Sequence, residues 1–190
     1  MKTLCNLLVV CACAAFFSGC GTTSSMKPAA GSAVRNLHKY NQVRVLDFGN
    51  KTKNKSDAGA QYVQMQGRRF ADLIALHLEK TGAFEKVVRD AATPPGGLLI
   101  KGDITRCVEG SAAMRYLVGM GAGSSYFDAT VQWADADTGQ ELGQVLVDKN
   151  SWGLGGGIAA TQTVEAFMEG AAKKIAEEAA KAKTAATAAK

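Results

Sequence analysis

The strongest constraint on the fold lies in the second half of the chain, where two alternating stretches flank a tight turn. Ser125 to Ala136 places apolar residues at every second position, namely Phe127, Ala129, Val131 and Trp133. Asp137 to Gln140 (DTGQ) follows, and Glu141 to Lys149 returns with a similar alternation. A period of two is typical of a strand with one buried face, and a glycine-containing turn between two such stretches favours an antiparallel hairpin. We therefore predict a β-hairpin over residues 125–149.

A third alternating stretch, Leu98 to Val108, predicts a further half-buried strand. An unbroken period of two divides its side chains between two faces. The face predicted to point inward carries Leu98, Ile100, Gly102, Ile104 and Arg106.

Two longer segments have the spacing of amphipathic helices. Ala60 to Lys80 repeats apolar residues at steps of three, four and seven, and Thr81-Gly82 supplies a helix stop. A second helix is predicted from about Ala159 to Ala180. Short apolar strands are predicted over 42–48 and 84–89. The fold class is therefore α/β, a mixed sheet of about five strands with two main helices packed on it, ending in a β-hairpin and a C-terminal helix.

The first twenty residues predict where the protein is held. Lys2 precedes an apolar run that ends in Ser18-Gly19-Cys20. This run has the length of a signal-peptide core and is too short to span a bilayer comfortably. It resembles the lipobox of bacterial lipoproteins, in which the leader is cleaved before the cysteine, the thiol receives a diacylglyceryl group and the new amino terminus is acylated, usually with palmitate. The resemblance implies cleavage between Gly19 and Cys20 and lipid attachment at Cys20, and a plain signal peptide with a chance cysteine is the alternative.

The composition predicts four segments. Residues 1–19 are a lipoprotein signal peptide, and residues 20–40 are a lipidated N-terminus and a flexible tether rich in small polar residues. Residues 41–180 form a single α/β domain, and residues 181–190 are a tail rich in Ala and Lys. Three of the five cysteines leave with the leader, so only Cys107 remains as a thiol once Cys20 is lipidated. A small buried apolar role is favoured for Cys107 over a reactive thiol or a pairing between chains.

The charge pattern argues against nucleic-acid and nucleotide partners. The net charge of +5 is mild, and the basic stretch at residues 51–55 (KTKNK) has no aromatic neighbours. This stretch reads as a solvated loop, with anionic lipid headgroups or polyanionic glycans as the alternative contacts. The glycine run from Gly119 to Gly123 lacks the lysine and the following helix of a phosphate-binding loop. We expect no cofactor.

No set of residues has the spacing of a catalytic or metal site. His38 and His77 have no partner at metal-ligand spacing, and Ser111 and Ser151 lie outside any nucleophile motif. Asp135 and Asp137 could together bind a cation, but they belong to the hairpin turn. The further ligands of a calcium loop are missing. We therefore predict that the protein is not an enzyme.

One apolar cluster stands out in the Gly-rich and Ala-rich stretch at residues 109–124. Its members are Met114, Tyr116, Leu117, Val118 and Met120. If they are exposed, they form a contact surface for a partner protein or lipid; if they are buried, they cap one end of the sheet. This cluster is the candidate partner surface.

Residues 98–157 resemble DUF4410, a family of uncharacterised bacterial lipoprotein domains. The resemblance is carried by Ile100 to Ile104 (IKGDI), Arg115, Gly119 to Gly123, the turn at 137–139 and Gly153 to Gly157. More distantly, the strand Val43 to Phe48 (VRVLDF) after a lipidated N-terminus resembles TolB N-terminal-type envelope domains, a group that includes the curli-secretion lipoprotein. That group implies partner binding or ring assembly without catalysis. Only Cys20 maps onto a defined functional position.

Three functions follow as hypotheses. The first is a lipid-anchored, periplasm-facing, non-catalytic binding or scaffold module, held in the membrane by acyl chains on Cys20 and in contact with an envelope protein or a second copy. Gly21 follows the cysteine where an inner-membrane retention signal would have Asp, so the outer membrane is expected in a Gram-negative cell. The second is a subunit of an oligomeric outer-membrane assembly or secretion-associated pore. The third is an envelope hydrolase or glycan-binding enzyme.

Overall fold

A computed structural model describes residues 24–29, 34, 36–53, 56–89, 96–118, 121–151 and 161–185. Seven strands form one mixed sheet: β1 (Ser24–Pro28), β2 (Gln42–Val45), β3 (Gly49–Asn50), β4 (Lys86–Arg89), β5 (Leu98–Val108), β6 (Tyr126–Asp135) and β7 (Glu141–Asn150). The strand order is β1-β7-β6-β5-β2-β4, and β3 pairs with β5. The helices are α1 (Asp57–Thr81), α2 (Ala112–Leu117) and α3 (Val164–Thr184). The α/β class and the two main helices are confirmed, and the described residues contain seven strands where about five were predicted.

The predicted hairpin is confirmed. β6 and β7 pair antiparallel from Tyr126 opposite Asn150 through Trp133 opposite Gly143. Gly139 takes a φ of 71° in the turn, and its N–H donates to the Asp135 carbonyl at 2.8 Å. A glycine adopts this left-handed backbone without steric cost, which explains why the turn falls here.

The predicted faces of β5 are right up to Ile104 and wrong beyond it. Ile104 lies opposite Ala129, but Arg106 lies opposite Asp128, so the register shifts between them at a β-bulge. A bulge adds one residue to one strand and reverses the alternation after it. Cys107 therefore lies opposite Phe127 on the buried face and packs against the core, whereas Arg106 is exposed.

The long helices cover one face of the sheet. Helix α1 begins at the Ser56 cap, whose hydroxyl accepts from the Gly59 N–H at 3.2 Å, and ends at Gly82 with a φ of 62°. Helix α3 begins at the Thr163 cap and presents an alanine-rich stripe to the core. Such capping residues satisfy amide groups that the first turn leaves unpaired. Because the stripe is made of small side chains, α3 packs closely against α1 and the sheet.

Three aromatic rings connect the layers of the core. Phe70 on α1 lies between Phe48, at a centroid distance of 4.8 Å, and Phe127 on β6, at 4.9 Å. All three side chains are buried. Tilted and edge-to-face ring pairs at this distance add to the free energy gained from apolar burial.

The N-terminal segment differs from the predicted tether. Within residues 20–40, Ser24–Pro28 pairs antiparallel with β7, and Leu37 and Tyr40 lie in the core. The Leu37 N–H donates to the Ala182 carbonyl at 3.3 Å, so α3 extends beyond residue 180 and contacts this segment. The sequence does not predict β1, because its five residues include two serines and a proline and show no alternation of apolar and polar side chains.

No helix in the described ranges is both long and apolar enough to cross a bilayer.

We expect Phe70→Ala to lower the free energy of unfolding by about 3–5 kcal/mol, because it removes the ring between two others and leaves a cavity. Met65→Ala on the same helix is the control, since Met65 is 57% exposed and its loss should change stability by no more than about 0.5 kcal/mol. Urea denaturation followed by circular dichroism measures both. Equal midpoints for the two variants would contradict this description of the core.

Candidate functional site

The apolar cluster predicted in residues 109–124 lies on a short helix and is exposed. Helix α2 is capped by Ser111, whose hydroxyl accepts from the Met114 N–H at 3.4 Å. The exposed fractions are 45% for Met114, 62% for Tyr116, 76% for Leu117 and 57% for Val118. These four residues are called the apolar surface below. Of the two alternatives for this cluster, exposure is therefore the one observed, and Met120 lies outside the described residues.

The base of this segment is held by backbone contacts that depend on glycine. The Ser111 N–H donates to the Gly123 carbonyl at 2.8 Å, and the Ser125 hydroxyl donates to the Glu109 carbonyl. Gly110 and Gly123 both have a φ of 69°, and a Cβ on either would collide with the facing backbone. These two glycines allow two chain segments to meet closely. The described part of the Gly-rich stretch therefore has a structural role that presents α2 at the end of the sheet.

Cys107, in β5 just before this segment, is half-buried. Burial and the nearby Glu109 charge raise the pKa of the thiol to about 11, and the neighbouring Tyr62 hydroxyl offsets this only in part. Burial raises the pKa of Tyr62 as well, and its hydroxyl donates to the Glu109 carboxylate at 3.3 Å. The thiolate is the reactive form of cysteine, so Cys107 is a poor nucleophile at neutral pH.

We expect iodoacetamide to modify Cys107 at pH 8 about a hundredfold more slowly in the folded protein than in urea, because far less thiolate is present. The modified fraction is measured by mass spectrometry of the peptide that contains Cys107, so other cysteines do not interfere. Equal rates in the folded and unfolded chains would show that the thiol is neither buried nor shifted in pKa.

The opposite end of the sheet is organised by the buried carboxylate of Asp135. Its Oδ2 accepts from the Tyr40 hydroxyl at 2.7 Å and the Lys39 ammonium at 3.2 Å. Its Oδ1 accepts from the amides of Asp137 and Thr138 and from the Thr138 hydroxyl. The hydrogen bond from Tyr40 is the main reason why the pKa of Asp135 lies well below its ordinary value. Both oxygens are occupied, so a structural role in the turn is indicated rather than cation binding.

Because the pKa of Asp135 is lower in the folded chain, its ionised form stabilises the fold above the unfolded pKa of about 3.9. This contribution is lost as the pH falls below that value and toward the folded pKa. We expect Tyr40→Phe to lower stability at neutral pH and to weaken its dependence on pH in acid. Urea midpoints from neutral to acid pH measure this. Tyr62→Phe is the matched control, and a wild-type acid slope in Tyr40→Phe would contradict the assignment.

The acidic residue in the VRVLDF stretch has a structural role. Asp47 lies after β2, accepts a hydrogen bond from Arg89 at 2.5 Å and forms an ion pair with Arg68 at 3.4 Å. Arg89 also contacts Asp72 at 2.9 Å and donates to the Val45 carbonyl at 2.5 Å. This group joins the edge strand β4, the end of β2 and the surface of α1.

The described residues do not assemble a catalytic or metal centre. His38 is exposed, and His77 contacts Glu169 at 2.7 Å, which joins α1 to α3. The Ser151 hydroxyl accepts from the Ser125 amide at 2.7 Å. No group of three or more His, Cys, Asp or Glu within the described ranges could hold a metal ion. Gly19 and Cys20 lie outside those ranges, so lipid attachment stays a prediction.

A cavity between the end of β2, β3 and the start of α1 also lacks paired catalytic groups. Its volume is about 590 Å³, and its described lining contains two carboxylates but no His, Cys, Ser, Lys or Tyr. Of these carboxylates, Asp47 is already held by Arg68 and Arg89. An activated nucleophile with an adjacent base is therefore not present in this lining.

The fold is thus a mixed sheet with two long helices on one face, and the candidate site is an exposed apolar contact surface. The family described as a domain of unknown function (DUF4410) matches residues 34–156, and the chain belongs to this family. The family predicted from the IKGDI and glycine motifs is confirmed.

Solved structures resemble the chain at low sequence identity, and one of them, with a TM-score above 0.5, has the same fold. The PelC dodecamer from Paraburkholderia phytofirmans is 12% identical and superposes with a TM-score of 0.53, covering 83% of this chain and 97% of that chain. Protein XCC0632 from Xanthomonas campestris, of the DUF330 family, is 11% identical with a TM-score of 0.49, covering 82% and 95%. Lipoprotein GNA1162 from Neisseria meningitidis is 9% identical with a TM-score of 0.38, covering 72% and 96%. No curated protein sequence matches the chain.

Proposed function

We propose that this protein is a lipid-anchored, non-catalytic module that faces the periplasm and binds another component of the cell envelope through the apolar surface. The observation that carries the proposal is the exposure of four neighbouring apolar side chains on α2 and its C-cap, from 45% to 76%. Clustered apolar side chains in water mark a contact site, because their burial by a partner releases free energy.

A non-catalytic role is supported by the use of the groups with shifted pKa values. The carboxylate of Asp135 is held by the turn, by Lys39 and by Tyr40. Cys107 and Tyr62 are shifted mainly by burial. A catalytic site would bring such groups together around a cleft. Here Asp135 lies at the opposite end of the sheet from Cys107. Burial also raises the pKa of Asp128, which lines a cavity of about 470 Å³ together with Cys107. The raised pKa of Cys107 keeps its thiol protonated, so this pair lacks an activated nucleophile.

A lipid anchor allows even a weak contact surface to bind its partner. Acyl chains on Cys20, after cleavage behind Gly19, would hold the domain at the membrane and raise its effective concentration there. In a Gram-negative cell we assign it to the outer membrane, because Gly21 rather than Asp follows the cysteine.

Self-association is the second candidate. In the seven-stranded sheet, β1 and β4 are edge strands with one neighbour each among the described strands. An open edge can pair with a strand from another copy. The fold is also that of a protein solved as a dodecamer, which supports a ring or other homo-oligomer for this chain.

We expect a photoreactive amino acid at Tyr116 in intact cells to form a covalent adduct with protein or lipid, because this side chain is 62% exposed within the contact surface. Leu76 on α1, 43% exposed and outside the apolar surface, is the control position. Adducts are detected by gel shift and mass spectrometry, and Cys20→Ala should abolish them by releasing the protein.

The outcome decides between the two candidates. An adduct at Tyr116 that is absent at Leu76 and lost with Cys20→Ala supports the anchored binding module. Adducts formed only between copies of this chain favour the oligomer. An anchored protein that gives equal yields at Tyr116 and Leu76, or no yield at either, would show that the apolar surface is not a contact site.

A further inference from the structure

We propose that the apolar surface rests on the lipid bilayer, at the end of the sheet from which the anchored N terminus leaves. This inference rests on the proposed function and deepens it, because it names the lipid surface as the partner of the same four side chains.

The sheet register places the start of β1, four residues after Cys20, at the same end as the apolar surface. Ser24 at the start of β1 lies opposite Lys149 in β7, and Lys149 lies opposite Phe127 in β6. Phe127 in turn lies opposite Cys107 in β5. These residues form one row across four strands. Helix α2 begins five residues after Cys107, so it leaves from the same row.

The chain between the anchor and this row is short. Cys20 precedes Ser24 by four residues, and an extended chain covers at most about 3.5 Å per residue, or about 14 Å in total. Three strand spacings of about 4.8 Å separate β1 from β5, which is also about 14 Å. The start of β1 therefore cannot lie far from the membrane surface that holds the acyl chains. The same end of the domain, with α2, is held within reach of the headgroups.

The side chains of α2 suit the interface between headgroups and acyl chains. Leu117 and Val118 are apolar and exposed, and Tyr116 combines an apolar ring with a polar hydroxyl. Aromatic and aliphatic side chains of this kind enter the boundary between headgroups and acyl chains, and they strengthen attachment when a lipid anchor is already present.

A basic loop approaches the same end. The Lys51 N–H donates to the Ile104 carbonyl at 2.9 Å, and β3 runs parallel to β5 toward Val108. Lys53 lines a cavity of about 470 Å³ together with Arg106 and Val108. The Lys51 ammonium is paired with Asp103 at 2.7 Å, so Lys53 and Arg106 are the basic side chains at this end that favour contact with anionic headgroups. The hairpin turn at Asp135 lies at the far end of β6 and points away from the membrane in this orientation.

The experiment measures the depth of α2 in the bilayer. The lipidated protein is purified and reconstituted in vesicles of phosphatidylethanolamine and phosphatidylglycerol, with an environment-sensitive fluorophore on Leu117→Cys. Matched variants carry it on Leu76→Cys and on Thr138→Cys, at the far end. We expect severalfold stronger quenching by lipids with a spin label in the acyl chain at position 117 than at 76 or 138. Thermal unfolding confirms that each labelled variant is folded, and mass spectrometry identifies the labelled cysteine and the acyl chains.

The outcomes separate this inference from the proposed function. Solvent-like fluorescence and no quenching at position 117 in the anchored protein overturn the membrane contact. The proposed function then stands if Tyr116 still gives an adduct with another envelope protein. Equal quenching at 117, 76 and 138 also overturns the inference, because it shows no preferred orientation. If the purified protein carries no acyl chains, there is no lipid anchor. That result would overturn both the membrane contact and the proposed function.

Discussion

The pairing of β5 with both halves of the sheet is the contact on which the rest of the structure depends. On one side β5 pairs antiparallel with β6, and on the other it pairs parallel with β2 and β3. The antiparallel part β1-β7-β6-β5 would otherwise be separate from the short parallel strands that α1 connects. Because β5 belongs to both, a single buried face runs across the sheet, and both long helices cover it. The Phe48, Phe70 and Phe127 rings lie on this face.

The same strand determines where the candidate site lies. The β-bulge after Ile104 turns Cys107 toward the core, and Gly110 then lets the chain meet the backbone at Gly123. Helix α2 is thereby presented beyond the end of the sheet, and its apolar side chains are exposed. The position of the apolar surface is thus a consequence of strand geometry and two glycines.

The alternating stretches allowed β5, β6 and β7 to be predicted closely, because one-sided burial imposes a period of two on the sequence. Other features depend on contacts between distant residues. β1 pairs with β7 across more than a hundred positions, and its own residues carry no pattern. The bulge changes the facing of Arg106 without any local signal, since no Gly marks it. The apolar cluster on α2 was found from its composition, but its exposure depends on how the Gly110 and Gly123 backbones meet.

The position of β1 at the sheet edge also has a mechanical consequence. Its five residues pair with β7 along their whole length, beginning at Ser24, directly after the segment that leads from Cys20. A force applied to Cys20 along the strand axis acts on all of these backbone hydrogen bonds at once, in shear, instead of opening them one after another. Strand β1 is therefore arranged to resist tension applied at its N-terminal end, and that tension is shared with the central antiparallel strands.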